Sequence, residues 1–256
     1  MGGAEAVIQE FLSSAPSADN RVGLFPYLQP QKTLDRKEAT VGAEALARFR
    51  ASDGRLLTPV EFLPTISQMG LHRELLRGML RGVSCALRSA GRLPRGFRVS
   101  VNVDASCIDW HLPRHLRSYL PDAGLAPESL AIELTETALL QDIDMSVTVL
   151  SAVRDMGIAV YIDDFGTGYS SLGVLRKLPI DGIKIPREFV SHCNRDKDLK
   201  ILHSLCCMLR QLGVHAVAEG VETIKQRSLL EFLGCPTAQG FYFSPPVPPD
   251  QFAKFL

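Results

Sequence analysis

Long apolar runs are missing from this 256-residue chain: none reaches the roughly 18 residues that a membrane-spanning helix needs. Met1–Asn20 has no basic stretch followed by an apolar block, which argues against a secretory signal. Ala6 stands where a myristoylation motif beginning at Met1-Gly2 would carry Ser or Thr. Net charge is absent as well, because 28 Lys and Arg balance 28 Asp and Glu. There is thus no overall basic field of the kind nucleic-acid readers carry, and no DNA partner is expected. The six cysteines (Cys85, Cys107, Cys193, Cys206, Cys207 and Cys235) show no CxxC spacing. Free thiols in a reducing, cytoplasmic setting are the expectation, with Cys206 and Cys207 packing inside a helix.

No Pro/Ser-rich linker, charge block or fixed-length repeat divides the chain. A single domain over residues 1–256 is expected, with residues 1–20 as an N-terminal helix or extension. What is present is an alternation of short β-like runs with longer helix-like ones. The strand candidates are Gly23–Gln29, Thr40–Leu46, Arg98–Val103, Leu130–Glu133, Ala159–Asp163, Gly182–Ile185, His215–Ala218 and a short one near Ala238–Gly240. Amphipathic segments such as Leu71–Ala90, Ile143–Met156, Leu199–Leu212 and Ile224–Leu233 lie between them. Gly91, Gly157, Gly213 and Gly234 each follow a helical pattern and precede an extended one. Eight strands interleaved with helices fit an α/β fold, a TIM-like (β/α)8 barrel, with a doubly wound sheet as the alternative.

The polar residues gather where these strands end. Glu44 lies in the second candidate, Asn102 in the third, Glu133 in the fourth with Glu136 beyond it, and Asp163-Asp164 closes the fifth. Lys184 sits in the sixth, Glu219 follows the seventh and Gln239 belongs to the eighth. In a barrel these strand ends converge on one mouth. Five carboxylates and an Asn in that volume would repel one another unless something cationic stood among them. Oxygen ligands without nearby Cys or His select Mg²⁺ or Mn²⁺ over zinc or copper. The number of carboxylates suits two ions, the arrangement that clamps the attacking and leaving oxygens of a phosphoryl displacement. Any one of these acids could instead be a helix cap or a solvated strand end. Asn102 between Val101 and Val103, and Lys184 between Ile183 and Ile185, are harder to explain so, because each must find polar partners.

The Asp163–Leu172 segment, with two acids and two glycines, suits an active-site loop. Its Asp-Phe-Gly triplet does not indicate a kinase, since no Gly-rich nucleotide loop or His-Arg-Asp segment accompanies it. The histidines (His72, His111, His115, His192, His203 and His215) show no metal-ligand spacing and read as structural or surface residues.

Glu44-Ala45-Leu46 within Gly42–Arg48 resembles the signature of the EAL domain, the bacterial cyclic di-GMP phosphodiesterase family. It is joined, in the family's order, by Gln29-Pro30, Asn102, Glu133-Leu134-Thr135-Glu136, the Asp163–Leu172 loop and Lys184-Ile185. Glu219-Gly220-Val221-Glu222, Gln239-Gly240-Phe241 and Phe243-Ser244-Pro245-Pro246 complete the set. The resemblance implies a barrel variant whose first strand is antiparallel to the rest. It implies that Glu44, Asn102, Glu133 and Asp163 hold one Mg²⁺ or Mn²⁺, with Asp163, Asp164 and Glu219 at the second ion and Ca²⁺ inhibitory. Lys184 and Gln239 would position the attacking water, and Gln29 and Arg48 would contact the dinucleotide. Glu136 would pin the Asp163–Leu172 loop, and Glu222 would support the site from behind. The implied reaction opens cyclic di-GMP to linear 5′-pGpG. A homodimer through the loop after Asp164, and fusion to or regulation by another domain, are compatible with the resemblance.

Two positions depart from the family pattern. Pro186 stands where the family usually has Asp, which removes a backbone donor and puts the placement of Lys184 in question. Leu28 separates Tyr27 from Gln29, where the family often has Tyr directly before Gln. Pro186 favours the alternative of a cyclic di-GMP receptor with little or no turnover. A barrel enzyme acting on another phosphodiester is a third reading.

Overall fold

The computed structural model describes residues 23–51, 53–166, 175–191 and 196–256. The expected extension at residues 1–20, the loop from Thr167 to Leu172, His192 and Cys193 lie outside the described residues. Nine strands form one closed sheet: β1 (Gly23–Thr33), β2 (Thr40–Arg50), β3 (Leu56–Leu57), β4 (Arg98–Asn102) and β5 (Leu130–Thr135), then β6 (Ala159–Asp163), β7 (Gly182–Ile185), β8 (His215–Ala218) and β9 (Thr237–Ala238). Their order is β1-β9-β8-β7-β6-β5-β4-β2-β3, and pairing of β1 with β2 closes the ring. Eight strands make the barrel, and the two-residue β3 is a short hairpin partner of β2.

Strand β1 runs antiparallel to both of its neighbours, β2 and β9. All the pairings from β2 through β4 to β9 are parallel. This is the variant barrel, and the doubly wound sheet is excluded. The first two strands run four residues further than their apolar pattern suggests: β2 continues to Arg50, which faces Gly23, and the end of β1 pairs Lys32 with Ala238 and Thr33 with Thr237 of β9.

Helices cover the outside of the barrel. They are α1 (Pro59–Met69), α2 (His72–Ala90), α3 (Leu112–Ala123), α4 (Glu136–Leu140), α5 (Ile143–Asp155), α6 (Arg187–Ser191), α7 (Asp196–Gln211), α8 (Ile224–Phe232) and α9 (Pro249–Phe252). In α2 the buried Leu76, Met79, Leu80, Val83 and Leu87 recur at helical spacing and form one apolar stripe. The starts of α1 and α8 are set by capping boxes, Thr58 with Glu61 and Thr223 with Gln226. α1 and α3 were not among the helical stretches singled out, since Pro64 and Pro121 interrupt their patterns. Among the described residues Cys85, Cys107, Cys206, Cys207 and Cys235 are free thiols, and no helix is long and apolar enough to cross a membrane. Cys206 is buried in α7 and Cys207 half-buried beside it.

Inside the barrel, below the mouth, Ala131, Ala159, Tyr161 and Val217 form a small separate cluster. The Tyr161 hydroxyl lies 3.0 Å from His215 Nδ1, and His215 Nε2 lies 3.0 Å from Thr237 Oγ1. Burial pushes the Tyr161 phenol up to about 12, and it lowers the His215 imidazole. His215 therefore has a structural role at the foot of β8. Gly182 is where β7 lets the Tyr161 ring lie across the interior, since a Cβ there would meet the ring at 2.7 Å. Gly182→Ala should destabilise the fold by about 1–3 kcal/mol through overpacking. A urea titration would show this as a lower midpoint at unchanged slope, and an unchanged midpoint would contradict the packing described.

Candidate active site

The alternation of side chains along the parallel strands carries Glu133, Asp163 and Lys184 to one end of the barrel interior. The lateral register sets their heights: Asn102 faces Glu133, Thr135 faces Asp163, and Gln29 faces Glu44 across the antiparallel pair. Glu219 follows β8 directly, and its backbone N–H donates to Ile185 O at 3.0 Å. Gln239 follows β9, tied by its backbone N–H to Ala218 O at 2.8 Å.

At the centre of these groups is the Lys184 ammonium, only 1% exposed. Its Nζ lies 2.7 Å from Glu219 Oε1, 2.9 Å from Glu133 Oε2, 3.0 Å from Glu44 Oε2 and 3.4 Å from Asp163 Oδ1. The cation that mutual repulsion demanded is thus supplied, in part, by the chain itself. Pro186 does not displace Lys184. The proline is buried, and Lys184 keeps its place in β7 beside Val217 of β8.

Two amides complete the cluster. Gln239 Nε2 donates to Glu44 Oε2 at 2.6 Å and to Glu219 Oε1 at 3.0 Å. Asn102 Nδ2 donates to Glu44 Oε1 at 3.0 Å. Behind Gln239 stands Gln31, which the sequence reading did not select. Its buried Nε2 donates to Gln239 Oε1 at 3.1 Å and so turns the Gln239 amide nitrogen toward the acids. The period of two in β1 carried that signal, because Gln31 shares a face with Gln29.

These partners push the carboxyls apart in acidity. Burial would raise Glu44, but the Lys184 charge and the bonds from Gln239 and Asn102 outweigh it and hold the group below its ordinary value. Burial, aided by the Glu44 and Asp163 charges, raises Glu133 well above the ordinary range despite Lys184. Burial, with the same two acids, pushes Glu219 up to about 7 against the pull of Lys184. Lys184 is itself raised well above its usual value: the four acids outweigh burial, so it remains an ammonium.

The residues fit a divalent ion. Asp163, Asp164 and Glu219 each offer an oxygen, all within 4.8 Å of one another. Glu133 Oε1 is buried with no hydrogen-bond partner, an acceptor left over for a cation. Every donor is oxygen, the chemistry of Mg²⁺, Mn²⁺ or Ca²⁺. Asp164 adopts φ 53°, a left-handed conformation that Asp tolerates, and its backbone N–H donates to Asp163 Oδ1 at 3.0 Å.

The other candidate residues fall around this centre. Glu136, buried at the start of α4, accepts the Gly166 N–H through Oε2 at 2.9 Å and so holds the first turn of the Asp163–Leu172 loop. Gln29 lines the mouth and donates from Nε2 to Ser244 O at 3.0 Å. Arg48 stands further along β2, lying over the Tyr27 ring at 5.3 Å with Nη1 donating to Ala47 O at 2.8 Å. Glu222 differs from expectation: it is not behind the site but at its open rim, paired with Arg187 at 2.8 Å. A backbone turn through Gly220 brings it there.

The sequence matches the family model of the EAL domain over residues 12–246. The chain belongs to the EAL domain family. It is 34% identical over 234 residues to the signaling protein YkoW of Bacillus subtilis, a match covering 90% of this chain and 29% of that one. It is 38% identical over 218 residues to the cyclic di-GMP phosphodiesterase NbdA of Pseudomonas aeruginosa, covering 83% of this chain and 28% of that one. The chain therefore spans less than a third of the length of either relative. A solved structure of the PaMucR phosphodiesterase in complex with c-di-GMP aligns with a TM-score of 0.80 at 33% identity. That alignment covers 90% of this EAL chain and 94% of the PaMucR chain.

A carboxyl must shed its proton before it can ligate an ion. With Glu219 raised to about 7 and Glu133 raised as well, Mg²⁺ affinity of the metal-free protein should rise with pH as these carboxyls lose their protons. Calorimetry in two buffers of different ionisation heat should detect proton release at about pH 6. Affinity that does not change between about pH 6 and 8 would contradict the arrangement.

Proposed function

We propose that this EAL domain hydrolyses cyclic di-GMP to linear 5′-pGpG. The observation that carries the reading is the acid cluster gathered around the buried Lys184 at the barrel mouth. Glu44, Asn102, Glu133 and Asp163 would hold one Mg²⁺ or Mn²⁺, and Asp163, Asp164 and Glu219 a second. When bound, the ions lower the pKa of the attacking water and neutralise charge on the phosphate.

The chain's own groups supply the rest. Water oxygen bonds to phosphorus as the P–O3′ bond breaks; one water proton passes through solvent to the departing 3′-oxygen, which leaves as a hydroxyl, the other stays on the new 5′-phosphate, and the ring opens. Lys184, ringed by four acids that hold its pKa well above the usual value, acts by charge: it offsets the repulsion among the carboxylates that would ligate the ions. Gln239, oriented by Gln31, directs its amide toward the acids and fixes their spacing. Glu136 holds the loop that presents Asp163 and Asp164. Gln29 and Arg48 would meet the dinucleotide from the β1–β2 side of the mouth.

Purified protein incubated with cyclic di-GMP and Mg²⁺ should give linear dinucleotide on chromatography. Ca²⁺, with its looser and longer coordination, should support binding but no product. Glu44→Ala removes a ligand held between Lys184, Gln239 and Asn102 and should abolish turnover. Binding without product in Mg²⁺ or Mn²⁺ would instead identify a receptor, and full activity of Glu44→Ala would overturn the ligand assignment.

A further inference from the structure

The mouth opens into a cavity of about 280 Å³ whose wall includes Glu44, Asp163, Glu219 and Glu222. Among the described residues that line it, two are cationic, Lys184 and Arg187. Lys184 is saturated by four carboxylates and sealed from solvent. Arg187 is the reverse case, with its side chain 63% exposed. Among the described residues its recorded ion pair is a single one, from Nη2 to Glu222 Oε1 at 2.8 Å. A guanidinium carries five N–H donors in a planar fork, so one carboxylate contact leaves most of them facing the cavity and solvent.

Arg187 is also held in place. Its stem lies against Gly220, where a Cβ would come within 2.4 Å of Arg187 Cγ and 2.6 Å of Arg187 Cβ. Gly220 itself sits at φ +64°, so two separate constraints require glycine there. On the other side Pro186 fixes the backbone entering α6, and its carbonyl accepts the Phe189 N–H at 3.1 Å. A long side chain that would otherwise wander is thus clamped at its base and tethered at its tip. The rotamer entropy that ligand contact would normally remove is already partly spent.

A cyclic dinucleotide brings two phosphodiester charges to a cavity rimmed mainly by acids. We propose that Arg187 is the residue that receives a substrate phosphate oxygen at this mouth, and that Glu222 is a positioning residue acting through it. The proposal rests on the phosphodiesterase reading and adds to it the group that recognises the anion before chemistry. A forked guanidinium suits two oxygens of one phosphate, whereas a lysine would offer only a point charge.

The test is steady-state kinetics of the full chain with cyclic di-GMP and Mg²⁺, together with calorimetric binding in Ca²⁺. Arg187→Ala should raise KM, and the Ca²⁺-state Kd, about tenfold or more, with a much smaller fall in kcat. Arg187→Lys should recover only part of the affinity. Glu222→Gln should raise KM less than Arg187→Ala, and the double variant should match Arg187→Ala alone because the acid works through the arginine. Wild-type KM and Kd in Arg187→Ala, with the wild type active, would overturn the proposal and leave the phosphodiesterase reading standing. Additive effects in the double variant would overturn the positioning role of Glu222. A wild type that neither binds nor cleaves cyclic di-GMP would overturn the reading and the proposal together.

Discussion

One buried ammonium meeting four carboxylates is the constraint on which the mouth of this barrel depends. A carboxylate sealed from water is costly unless a charge or several hydrogen bonds compensate it. Glu44, Glu133, Asp163 and Glu219 come from four separate parts of the chain, and Lys184 lies within 3.4 Å of all of them. The parallel register of β4 to β9 brings them to a common height, and the antiparallel β1 adds Gln29 and Gln31 on the remaining side. Packing and the proposed chemistry are therefore coupled through one side chain. A shift of register by a single residue would turn Lys184 outward into the apolar shell.

The cluster is poised rather than simply neutralised. One ammonium cannot balance four acids, and the chain divides the excess unevenly. Glu44 stays below its ordinary value while Glu133 and Glu219 are raised. Protons then stand in for cations at the groups proposed as ligands, and incoming divalent ions exchange with them. The unpaired Glu133 Oε1 is the structural trace of that exchange.

Much of this could be read from residues alone, for a definite reason. Polar side chains inside short apolar strands have few innocent explanations, so Asn102, Glu133 and Lys184 pointed to a shared interior site. Strand spacing favoured the barrel over a doubly wound sheet, with β6, β7 and β8 at their expected bounds. Strand direction was a different matter. An apolar pattern has period but no sense, so the antiparallel β1 came only from family resemblance, and the geometry shows it. Gln31 escaped selection because it acts through Gln239, 208 residues away in the chain, and Arg187 because its carboxylate partner, Glu222, lies in a different segment beyond β8. Pro186 raised doubt about Lys184 that geometry removes: the proline alters the chain after the strand, and the strand's own pairing fixes the lysine.

Lys184→Met tests this account most directly, with unfolding followed in chelator across pH. Removing the ammonium strands several acids in a dry site, so stability should fall by about 3–5 kcal/mol near neutral pH. Their carboxyls would then be raised above the unfolded value and bind more protons folded than unfolded, which makes stability fall as pH rises. The deficit should accordingly be smaller at about pH 5 than at about pH 8, and Mg²⁺ should recover part of it. A Lys184→Met protein as stable as wild type in chelator at both pH values would contradict the claim that this lysine holds the acid cluster together.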